Sequence, residues 1–131
     1  MKSLFNPSDN SDLVARISRL TPASQSQWGK MSAAQMLAHS KSPFQVAFGE
    51  VKLKRSLMGI LFGTIAKKKL LNDTPFGKNL PTDKNFVVAD HRNFEDEKKA
   101  LISLVQRFTQ AGPEGISKDP HPFFGKLTSQ E

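Results

Sequence analysis

The sequence predicts an all-α protein, an antiparallel four-helix bundle of one domain spanning residues 1–131. Three observations predict it. Four segments place apolar residues three and four apart, the spacing that lines one face of a helix. Most of these segments are bounded by helix start or stop residues. Only one short stretch, Phe86-Val87-Val88-Ala89, could be extended, and a lone strand makes no sheet.

The first helix is expected from Ser8 or Asp9 to about Leu20. Asp9 and Asp12 suit its positive end, Arg16 and Arg19 its negative end, and Leu13, Val14, Ile17 and Leu20 form a buried stripe. Thr21-Pro22 stops it.

The second begins at Ser32, with Gln35 three residues on in a capping-box pattern. Ala33, Met36, Leu37, Ser40, Phe44, Ala47 and Phe48 share a side, and Gly49 is a plausible end. Pro43 has no N–H to donate to the carbonyl of His39, so a kink or break is expected there.

The third covers about Ser56 to Leu71. Gly59 and Gly63 would let a neighbouring helix approach closely. Asn72 to Asp90 reads as a long loop, with turns at Thr74-Pro75-Phe76-Gly77 and Leu80-Pro81-Thr82-Asp83. The fourth helix starts at Asn93 with Glu95, Asp96 and Glu97 in its first turn. It buries Phe94, Leu101, Leu104, Val105 and Phe108, and stops at Gly112-Pro113. A second Pro/Gly-rich loop runs on to Gly125.

Composition narrows the chemistry. There is no cysteine and no tyrosine, and there are three histidines, so disulfides, Cys-based zinc sites and thiol nucleophiles are excluded within these 131 residues. No apolar run approaches the roughly 20 residues that span a bilayer. Nor does the N-terminus carry a signal-peptide core, so a soluble cytoplasmic protein is the expectation.

The formal charge is +7, with 19 Lys+Arg against 12 Asp+Glu. Residues 51–72 hold six of the basic residues (Lys52, Lys54, Arg55, Lys67, Lys68 and Lys69) and no acid, leaving 13 against 12 elsewhere. An apolar run from Leu57 to Ala66 lies between the two basic clusters. The pattern suits a core helix with solvated lysine ends, which is the expectation. It also suits a helix docking on a membrane surface or partner, or a patch for nucleic acid. The last is the least supported, because few aromatics interleave the lysines.

His39 lies at the edge of the apolar stripe of the second helix, and no His-x-x-x-His or His-Glu-x-x-His accompanies it. His91 reads as a capping or surface residue. His121, between two prolines in Asp119-Pro120-His121-Pro122-Phe123-Phe124, reads as loop packing. Glu95, Asp96 and Glu97 read as solvated partners of the helix dipole.

Three segments together resemble a known family. Trp28-Gly29-Lys30-Met31-Ser32-Ala33-Ala34-Gln35-Met36-Leu37-Ala38-His39, Asn93-Phe94-Glu95-Asp96-Glu97 and His121-Pro122-Phe123-Phe124-Gly125-Lys126-Leu127-Thr128 resemble a short bacterial branch of the DinB-like superfamily of metal-dependent enzymes. The resemblance covers most of the chain from Trp28. It implies a divalent metal, zinc or nickel, held by three histidines. It also implies a transferase or hydrolase acting on a small molecule, with a low-molecular-weight thiol as substrate or partner, and homodimers among relatives.

His39 matches the first ligand position. The other two ligands belong to a final helix after the Leu-Thr-x-x-Glu pattern, and His91 and His121 do not match them. Thr128-Ser129-Gln130-Glu131 has the form of a capping box, so a longer natural product whose next element is that helix is expected. The metal belongs to that full-length protein and is not assured in this chain. The alternative is a non-enzymatic helical module binding a membrane surface, a partner protein or nucleic acid through residues 51–72.

Overall fold

In a computed structural model, residues 2–71, 77, 78, 80 and 82–128 are described. Among them the chain is all-helical: α1 is Pro7–Ser18, α2 Ala33–Ala47, α3 Leu57–Leu70 and α4 Phe94–Ala111, with short 3₁₀ turns at Lys84–Phe86 and Pro113–Gly115. No strand forms among these residues. The one bridge pairs His121 with Gly125.

The helix starts follow from side-chain caps. Asn6 accepts from the Ser8 and Asp9 N–H groups, and Asn93 accepts from Asp96. Ser32 and Gln35 form both arms of the expected capping box. These bonds satisfy amides that lack an intrahelical acceptor. Gly49 (φ 70°) and Gly112 (φ 63°) end α2 and α4 in the left-handed region that favours glycine. Of the kink or break expected at Pro43, the break does not occur, since α2 continues to Ala47 with Pro43 inside it. Of the short extended piece expected at 86–89, Phe86 instead ends a 3₁₀ turn, and the backbone is extended at Val87 after it.

α1 runs antiparallel to α4. Leu4, Asn10 and Ser18 meet Thr109, Val105 and Lys98 in turn. α2 and α4 instead run in the same direction, with Gln35 against Asp90, Lys41 against Glu97, and Phe48 against Phe108. Two neighbouring helices can run in the same direction only if the chain returns between them, and residues 48–93, including α3, make that return.

The core is built where α1, α2 and α4 meet, from Ile17, Ala33, Leu37, Phe94, Leu101 and Val105. Phe5, Phe44 and Phe48 surround Phe108 with ring centroids 4.8–5.5 Å away, closing one end. Asn10 is buried, and its amide donates to the Leu4 and Val105 carbonyls at 2.9 and 2.6 Å.

α3 stands apart from this core. The expectation that residues 51–72 hold a core helix is overturned: Leu57, Met58, Ile60, Leu61, Phe62 and Ile65 are between 48% and 72% exposed. Gly59 and Gly63 do permit a close approach, but to the backbone of a turn, not to another helix. The physical reason is the width of the contact. Two glycines make a narrow strip that accepts one strand of backbone; Ala66 and Lys67, which donates to the Lys126 carbonyl, are half-buried beside it, and the large apolar side chains are left outside.

Candidate functional site

Two regions of the described residues can carry function. The first surrounds His39. Its Nδ1 lies 2.9 Å from the Phe86 carbonyl oxygen. A carbonyl only accepts, so Nδ1 carries a proton, and in the neutral ring the lone pair is then on Nε2. That orientation, with one ring nitrogen donating to a backbone carbonyl and the other available, is the one metal-bound histidines adopt. Among the described residues, however, no group of three His, Asp or Glu side chains gathers to hold an ion. His91 is exposed, and His121 belongs to the 122–125 turn. Of the three ligand positions that the DinB-like resemblance implies, this chain matches one, His39, and no other candidate ligand gathers with it among the described residues. The rest of the Thr128 capping box, Ser129–Glu131, lies outside the described residues.

On α2, two residues beyond His39, Lys41 pairs with Glu97. Glu97 is 8% exposed, and Arg92 Nη1 lies 3.6 Å from its other oxygen. This carboxylate is not the solvated dipole partner expected from Glu95-Asp96-Glu97. The sequence carried no signal for its burial beyond its helical spacing, four residues before Leu101 on the buried side of α4.

The second region is α3 with its flanks. Ser56 caps it by accepting from Gly59 N–H at 2.9 Å. A Cβ on Gly59 would sit 2.7 Å from Phe123 Cα and O, and one on Gly63 2.2 Å from Phe123 O. These glycines therefore fix which side of the helix faces the protein. On the wheel, Leu57, Met58, Leu61 and Ile65 fall on the opposite arc, with Ile60 and Phe62 on its shoulders. A surface helix normally turns its polar side outward. Here the outward arc is the apolar one.

The seat of α3 has its own logic. The His121 N–H donates to Gly125 O at 2.8 Å, and Gly125 N–H returns to His121 O at 3.0 Å. Inside that turn, His121 Nδ1 accepts from the Phe123 and Phe124 N–H groups at 3.1 and 3.2 Å. Its proton is therefore on Nε2. Burial holds the imidazole below its ordinary pKa, in favour of the neutral ring this geometry needs. The Phe124 ring stacks near it, centroids 4.8 Å apart.

The basic flanks lie at both ends of the apolar helix. Lys67, Lys68 and Lys69 complete its last turn, where they also suit the negative end of the dipole. Lys52, Lys54 and Arg55 precede it. Lys52 pairs with Asp119 at 3.0 Å, and that contact pulls the Asp119 carboxyl below its ordinary pKa. A cleft of about 300 Å³ beside this pair is lined by Val46, Leu53, Arg55 and Pro122. Among the described residues no helix is long and apolar enough to cross a membrane.

Compared with known proteins, the chain matches no family model, no curated protein and no solved structure.

Proposed function

We propose that the chain is a binding module whose docking element is α3 with its basic flanks. The observation that carries this reading is the inverted helix: its glycine side faces the protein, and its large apolar side chains face away. Contiguous exposed apolar surface of this kind marks binding sites in folded proteins. The α1, α2 and α4 core supplies a rigid platform, and the 122–125 turn holds α3 on it.

Partition into a nonionic detergent phase tests this. The wild-type protein should enter the detergent phase, and a Leu61→Ser/Ile65→Ser variant should stay in water while melting at the same temperature. Loss of folding in that variant would instead make α3 part of the core.

A second reading is favoured by the ring orientation of His39, whose Nδ1 donates to the Phe86 carbonyl. In the DinB-like sense, His39 would supply one ligand to a zinc or nickel ion, whose chemistry is Lewis-acid activation of a bound water or thiol. The residues of this chain would contribute the orientation: the Phe86 carbonyl fixes the tautomer, and α2 fixes the ring. Metal content of the longest natural form, compared with its His39→Ala variant, tests this reading. Equal content in both refutes it.

A further inference from the structure

We infer that the surface α3 docks onto is an anionic lipid surface, with the helix lying in the plane of the headgroups. This rests on the reading of α3 as a docking element and adds the identity of what it meets. Three observations carry it.

The first is charge. Residues 51–71 hold six basic side chains and no acidic one, so the surface that receives α3 must be negative or neutral. A second copy of this chain would bring the Lys68 and Lys69 end of one α3, and Lys54 and Arg55 before it, against the same cations of the other, and juxtaposed like charges disfavour that pairing.

The second is the way apolar and basic groups are divided along the helix. The apolar positions fill the middle from Leu57 to Ile65, and the lysines cluster in the last turn, pointing round the helix at positions 67, 68 and 69. Nucleic acid would be met by basic side chains along the contact face, with the aliphatic face left wet. A lipid interface takes both parts: the acyl boundary receives Leu57, Met58, Leu61 and Ile65, and the exposed Lys68 and Lys69 stems extend to the phosphates, while Lys67 donates to the Lys126 carbonyl.

The third is orientation. The glycine strip clamps α3 through its back to the Phe123 and Phe124 backbone. The apolar arc is therefore presented outward without rearrangement of the core. Fourteen residues give a helix about 20 Å long. That length lies along an interface and is too short to span one.

Co-sedimentation with vesicles tests the inference on the 131-residue chain. Two vesicle types are compared: pure phosphatidylcholine, and equimolar phosphatidylcholine and phosphatidylglycerol. The protein should bind the anionic vesicles and bind the neutral ones at least tenfold more weakly. Lys68→Gln/Lys69→Gln should weaken anionic binding by about 25-fold, at about fivefold for each lysine near the surface. Leu61→Ser/Ile65→Ser should abolish it, and moderate salt should weaken it.

Wild-type protein that enters detergent yet binds both vesicle types equally, or neither, overturns the lipid assignment while leaving the docking role of α3 standing. A stable dimer whose formation removes detergent partition overturns it in favour of a second copy. Failure to enter detergent at all overturns both readings. Binding to duplex DNA that Leu61→Ser/Ile65→Ser leaves intact assigns the basic flanks to nucleic acid and overturns the lipid inference.

Discussion

Gly63→Ala sets two effects of known size against each other. In an isolated helix the change gains up to about 1 kcal/mol, because alanine loses less backbone freedom than glycine. In α3 the new Cβ would sit 2.2 Å from the Phe123 carbonyl oxygen. Carbon and oxygen settle at about 3.3 Å or more, so α3 must retreat by about 1 Å. The obstacle is backbone held by the His121–Gly125 pair, not a side chain that can swing aside. Overpacking of this kind costs about 1–3 kcal/mol.

In Gly59→Ala/Gly63→Ala the second Cβ meets Phe123 Cα and O at 2.7 Å, and the seat is lost while α3 stays helical. Because the core lies among α1, α2 and α4, the melting temperature should move by no more than about 4 °C, the shift for roughly 1 kcal/mol. Hydrogen exchange is the assay. Amides of 123–125 should lose protection, along with those of α3, while Leu101 and Val105 keep theirs. Thr64→Ala, at an exposed position of the same helix, is the control and should change none of these. A collapse of global stability in the double variant, or unchanged exchange at 123–125, would refute the account of how α3 is held.

Other consequences are equally open to measurement. The His121 lone pair accepts two amides, so protonation sets a charged N–H against two donors. A folded pKa below the ordinary value means this contribution is complete above about pH 6.5 and is lost as the pH falls through the folded pKa. NMR titration should place His121 below 6.5, with faster exchange at 123 and 124 under acid conditions. His121→Gln should remove that pH dependence. Lys41→Met strands the Glu97 carboxylate with Arg92 alone and should cost about 3 kcal/mol, roughly 10 °C in melting temperature. Lys41→Met/Glu97→Leu should recover most of that loss. Asn10→Ala leaves the Val105 carbonyl without its side-chain donor and should cost about 1–3 kcal/mol in a denaturant titration.

How much of this was legible beforehand depended on whether the signal was local. Ser32 and Gln35 predict their own capping box, because the partners are three residues apart and the geometry of a first turn fixes the rest. Asn93, Gly49 and Gly112 are legible for the same reason. The burial of Asn10 and Glu97 was not, because their partners are remote: Val105 lies on another helix, and Lys41 reaches Glu97 only once α2 and α4 run side by side.

The shared direction of those two helices was hidden too. Periodicity specifies a buried face but carries no information on which way the neighbour runs. α3 shows the same limit most sharply. An apolar run with lysine ends reads alike in a core and on a surface. Only the docking of Gly59 and Gly63 on a turn, instead of on a helix, turns its large side chains outward. For His39 the sequence supplied the candidate, and the fold added the orientation of its ring.

The outward face of α3 is the central claim, and its single aromatic residue allows a direct measurement. The chain has one tryptophan, Trp28, so Trp28→Phe/Phe62→Trp leaves a single fluorophore on α3. With anionic vesicles carrying brominated acyl chains, the fluorescence of Trp at position 62 should shift to the blue and be strongly quenched. Vesicle binding with neither change would place the contact elsewhere on the protein and contradict the account.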